Sequence, residues 1–85
     1  MPKVPPKYYP LQRYLEAMAD AEVTLSFAEL EVIIGGPLPQ TALLRSWWAN
    51  RRTQPQGRAW LAAGWQTSTV QTRQRRVTFV RRVAG

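Results

Sequence analysis

Cysteine and histidine are both missing from this 85-residue chain. Their absence excludes a disulfide framework, a thiol nucleophile, a Cys/His zinc site and imidazole acid–base chemistry. Long apolar runs are missing too: none approaches the roughly 20 residues that span a bilayer, and the proline-rich start lacks the apolar centre of a signal peptide. The expectation is a cytoplasmic protein with no membrane partner. Acidic residues are confined to the first third. Glu16, Asp20, Glu22, Glu29 and Glu31 are the only carboxylate side chains, and none occurs from Val32 to Gly85. Glu29 and Glu31, the most suggestive acid pair, are two apart in a helical pattern and so do not share a face. We therefore expect no enzyme activity, no catalytic residue, no metal site and no cofactor.

What remains is apolar and arginine-rich. A hydrophobic content of 45% with 20% charged residues fits a folded chain, and the length allows one small domain in which each large side chain carries structural weight. With Lys3, Lys7 and Arg13 against five acids, the first 31 residues stand near −2. The remainder carries nine arginines and no lysine, for a total of +7. Such an asymmetry favours a polyanion, and the guanidinium fork suits bidentate contact with phosphate or guanine. Codon usage in a GC-rich genome produces the same preference for arginine.

The chain divides into an extended arm over 1–7, a single domain over 8–82 and a tail over 83–85. Three prolines in the first seven residues exclude a helical start, and the arm's two lysines could touch a phosphate backbone. Pro10 then opens a helix to about Ala19, with Leu11, Tyr14, Leu15 and Met18 on one face. Val23–Phe27 alternates as a short strand. Ser26 and Glu29 form a capping box for a helix over Phe27 to Ile34, stopped by Gly35-Gly36. After Pro37-Leu38-Pro39, residues Thr41 to Asn50 read as a helix or helical turn. A polar loop follows, then a helix from Pro55 or Gln56 to Gly64. The period changes to two from Trp65 to Val70 and from Val77 to Val80, which predicts a hairpin whose basic tip spans Gln71 to Arg76.

This order describes an α+β, winged-helix-like fold: helix, short strand, two to three helices and a C-terminal β-hairpin wing. In that frame Gln54, Gln56 and Arg58 start the groove-entering helix, with side chains suited to adenine and guanine edges. Arg51 and Arg52 beside it, and Arg73, Arg75 and Arg76 on the wing, grip phosphates; about five such contacts imply a log–log salt slope of roughly 4 to 5. Arg45 and Asn50 complete the nucleic-acid-binding set, although Asn50 could instead cap a helix end and the tip arginines could simply protect a sheet edge. Trp47, Trp60 and Trp65 are assigned to the core. Trp48, adjacent to Trp47 and pointing elsewhere, is the ring expected at the surface and the one aromatic member of the nucleic-acid-binding set.

The segments Tyr9-Pro10-Leu11, Leu38-Pro39, Trp47-Trp48-Ala49-Asn50, Ala59-Trp60-Leu61-Ala62-Ala63-Gly64-Trp65 and Val77-Thr78-Phe79 resemble a family of small bacterial and phage domains of unknown function. The resemblance covers about residues 8 to 82 and implies one compact domain, with no activity to carry over. Function thus rests on charge and fold. A module binding double-stranded DNA, as a small transcription regulator or the recognition part of a larger system, is the leading reading. The alternative is a protein-interaction adaptor or phage-type inhibitor that binds an acidic partner through the arginines and Trp48; a homodimer also stays open. RNA ranks lower, because the hairpin shows threonine, glutamine and arginine rather than exposed rings.

Overall fold

Ser26 sets the first fixed point of the fold. In the computed structural model, which describes residues 4–82, the Glu29 N–H donates to the Ser26 hydroxyl and the Ser26 N–H donates to the Glu29 carboxylate, at 3.0 and 2.9 Å. This reciprocal capping box ends strand β1, Glu22–Ser26, and starts helix α2, Phe27–Ile34. The helix stops where Gly35 takes φ +74°, a left-handed conformation open to glycine at little cost.

Helix α1, Tyr9–Glu16, precedes β1 and buries Leu11 and Leu15. It ends a turn earlier than the periodicity suggests: Met18 still packs on the core, while Tyr14 stays 36% exposed. Of the expected arm, residues 6–8 form a turn in which the N–H groups of Tyr8 and Tyr9 donate to the Pro5 carbonyl. Residues 1–3 of the arm and the 83–85 tail lie outside the described residues.

The Thr41–Asn50 region resolves into two 3-10 turns, Gln40–Leu43 and Arg45–Trp48, separated by Leu44 in an extended conformation. The break has a packing reason. Residues 42 and 48 would lie about 120° apart around one continuous α-helix, yet here both are buried and the Trp48 Nε1–H donates to the Ala42 carbonyl at 2.8 Å.

Helix α3, Pro55–Ala62, leads through Gly64 at φ +86° into strand β2, Trp65–Gln71, and then β3, Arg76–Arg81. The three strands form one antiparallel sheet ordered β1-β3-β2, with β3 in the centre. Val23, Leu25 and Ser26 face Phe79, Val77 and Arg76 across the β1–β3 pairing. Helices and an antiparallel sheet share a single core, so the fold class is α+β. No helix of the described residues is long and apolar enough to cross a membrane.

Aromatic rings run through that core. Phe27 lies 5.3 Å from Trp48, Trp48 stacks on Trp60 at 5.9 Å, and Trp60 meets Phe79 at 5.5 Å between ring centroids. Truncating such a ring to alanine typically costs about 3–5 kcal/mol, a large share of what an 85-residue domain has to lose. The ring chain therefore fixes how the 40–50 segment, α3 and β3 are placed.

Candidate nucleic-acid interface

Loop 49–54 is held against the sheet by one side chain. The Asn50 Oδ1 accepts from the Thr67 N–H at 2.8 Å, and its Nδ2 donates to the Thr67 carbonyl at 3.1 Å. The same Oδ1 accepts from the Trp60 Nε1–H at 3.0 Å. Both backbone groups of Thr67 thus point away from β3, and the carboxamide of Asn50 takes the place of a further strand on the outer edge of β2. The register of β2 slips between Thr67 and Thr69, the local irregularity at which this pairing occurs. The Thr67 hydroxyl lies 2.8 Å from the Trp48 carbonyl. Thr67 was invisible to sequence reasoning as a site residue, because nothing in an alternating strand marks where a bulge will fall.

Anchored in this way, the loop presents Arg51 and Arg52 outward, both exposed. Its backbone is closed by Arg51 N–H to Ala49 O and Gln54 N–H to Arg51 O, while the Arg58 Nε–H donates to the Arg52 carbonyl at 3.1 Å. Arg51, Arg52, Gln54 and Arg58 are therefore neighbours. Arg45 stands exposed at the start of the second 3-10 turn.

Two residues of the expected set are not at the surface. Trp48 is 1% exposed, and it is Trp47 that is only half-buried; the break at Leu44 turns the second ring inward. Gln56, expected to read a base edge, is 5% exposed and its Nε2 donates to the Trp47 carbonyl at 2.8 Å. Gly57 beside it is also buried: a Cβ there would collide with the Arg51 carbonyl oxygen. The first turn of α3 thus packs onto the loop, and its outward positions are Pro55, Arg58 and Ala62, with Arg58 half-buried.

The hairpin tip is Thr72 to Arg75, with Arg76 already in β3. Arg75 has φ +55° and its carbonyl accepts from the Phe27 N–H at 2.8 Å, so the tip is tied to the first turn of α2. Arg76 lies close enough to Glu29 to help hold that carboxyl below its ordinary range, behind the larger effects of the Ser26 N–H and hydroxyl. Arg51, Arg52, Arg73 and Arg75 make no ion pair with any carboxylate of the described residues. The loop and the tip are joined by one edge strand, and the five steps from Thr67 to Thr72 span about 16 Å at roughly 3.3 Å per residue.

The chain belongs to the family described as Domain of unknown function (DUF7662), whose model matches residues 8–83. No curated protein and no solved structure matches it.

Proposed function

We propose that this family member binds duplex DNA, through phosphate contacts and groove shape more than through base edges. One observation carries the reading. Two sets of arginines without carboxylate partners, Arg51 and Arg52 on the anchored loop and Arg73 and Arg75 on the hairpin tip, occupy separate stations along the β2 edge. The stretch of edge strand that joins the two stations is about 16 Å long at roughly 3.3 Å per residue, short against the ~34 Å helical repeat of a duplex, which supports both stations meeting phosphates of one double helix. A winged-helix comparison is supported by the element order and by the β1-β3-β2 sheet, with α3 as the groove-facing helix and residues 72–75 as the wing.

Burial of Gln56 and Trp48 removes them from the proposed contact set. With Pro55 and Ala62 flanking Arg58 on the open side of α3, that face offers a single guanidinium to base edges. Contacts to phosphate position a protein without specifying sequence. A role as a small regulator or as the recognition part of a larger assembly then depends on DNA shape or on a second module.

The test is fluorescence anisotropy with a labelled 30-base-pair duplex across a salt titration. Replacing Arg51, Arg52, Arg73 and Arg75 together by alanine should reduce the log–log salt slope by about 3 to 4, at roughly 0.9 per lost contact. Unchanged affinity and slope in a variant with an unchanged thermal transition would sink the proposal.

A further inference from the structure

A groove of about 470 Å³ opens on the side of the hairpin tip that meets α2. Phe27 and Ala42 form its floor, and both are buried. Leu38, Pro39 and the 48%-exposed Leu43 form an apolar wall, while Val32, one turn past the groove-lining Ala28 on the same face of α2, is 82% exposed. Gln40 on one side and Gln74 with Arg75 on the other make the rim. The shape is fixed from below: the Leu38 N–H donates to the Glu31 carboxylate at 2.8 Å, which ties the 38–43 segment to α2 and occupies a carboxylate that lines the groove.

The geometry points to this groove as a docking site for an acidic, apolar peptide segment of a partner protein. Phosphates gain nothing from a lining of Phe27, Ala42 and Leu38. An aliphatic or aromatic side chain gains burial there, and the volume, toward the lower end of the roughly 300–1,000 Å³ usual for binding sites, admits one or two such groups. Gln40 and Gln74 carry amide groups without partners among the described residues, and these match the N–H and C=O groups of a peptide backbone. Arg75 supplies the charge complement for a carboxylate, in bidentate geometry. Its positive φ, a conformation that favours glycine, means that the chain keeps an arginine at the groove mouth against local backbone preference.

This inference does not depend on the DNA reading, and its experiment separates the two. A phage-displayed library of random nonapeptides is panned on the full chain, and the enriched peptides are measured by fluorescence anisotropy. The expected peptides pair Asp or Glu with Leu, Ile or Phe. Their Kd should rise at least about tenfold in Leu43→Ser, which removes the half-exposed apolar side chain of the groove wall, and in Arg75→Gly, which suits the observed φ while deleting the guanidinium. The Arg51→Ala/Arg52→Ala variant should stay within about twofold for peptide, and Leu43→Ser should stay within about twofold for duplex DNA. No enrichment over the unselected library overturns the proposal. So do binders indifferent to Leu43→Ser and Arg75→Gly, or binders lost in Arg51→Ala/Arg52→Ala.

Discussion

Asn50 pairs with Thr67 as one strand pairs with another, donating to its carbonyl and accepting from its N–H at 3.1 and 2.8 Å. Because Oδ1 also receives the Trp60 Nε1–H, a single carboxamide joins the basic loop, the edge strand and the ring chain of the core.

Replacing Asn50 by alanine leaves the Trp60 indole N–H and the backbone of Thr67 to find other partners. At about 1–3 kcal/mol for an unsatisfied buried group, the loss should be about 2–3 kcal/mol, or some 10–20 °C in Tm for a domain of this size. Urea and thermal unfolding measure it. A loss under about 0.5 kcal/mol would show that the loop is held elsewhere.

The tryptophans should respond unequally to phenylalanine. The Trp48 Nε1–H serves the Ala42 carbonyl, whereas the Trp65 Nε1–H is buried without a partner among the described residues, under the Arg81 guanidinium that lies 4.8 Å from its ring centre. Trp48→Phe leaves a buried carbonyl unsatisfied; Trp65→Phe removes a group that was already so. The first substitution should cost about 1–2 kcal/mol more than the second in urea unfolding, and the opposite order would contradict this account.

Glu29 gives the stability an acid limb. Its carboxyl sits below the ordinary range because the Ser26 N–H and hydroxyl favour the charged form, opposed by desolvation and aided, least of all, by Arg76. A group with a depressed folded pKa stabilises above its unfolded pKa, and that contribution is lost as pH falls through the folded value. Tm followed from neutral pH into the acid range should fall less steeply for Glu29→Gln than for the wild type. Ser26→Ala should also lower stability at neutral pH, by about 0.5–2 kcal/mol.

Gly57→Ala tests the seating of α3. Alanine is the better helix former by about 1 kcal/mol, yet its Cβ would collide with the backbone oxygen of Arg51 and lie 3.2 Å from that of Ala49. Overpacking against backbone should outweigh propensity and give a net loss of about 1–3 kcal/mol. Gly36→Ala, with nothing within 4 Å of the added carbon, is the matched control by urea unfolding.

Local chemistry was legible in the sequence where it is complete within a few residues. Ser26 and Glu29 satisfy each other three positions apart, so α2 could be read with its start and its stop. The two-residue period over Trp65–Val70 and Val77–Val80 likewise yielded β2 and β3, and the α+β class with them. Side-chain direction in the 40–50 segment was not legible, since the extended Leu44 resets the phase and exchanges the exposure expected of Trp47 and Trp48. The residue type of Gln56 suits a base edge. Its amide is spent on Trp47, a contact set by how loop and helix fold over one another. Neither a nucleic-acid contact nor a local cap anticipates what the Asn50 side chain does, because its partners, Thr67 and Trp60, lie 17 and 10 residues away.

The sheet order has a consequence for the history of each molecule. β3 is the last strand to be made and the one between the other two, so β1 and β2 have no strand to pair with until residues 76–81 exist. Until then Val23 and Leu25 lack Phe79 and Val77, the residues they face in the folded sheet. The sheet therefore cannot be completed before β3 is made, and the β1–β3 partners, fifty or more residues apart in the chain, carry the closure cost of a long loop.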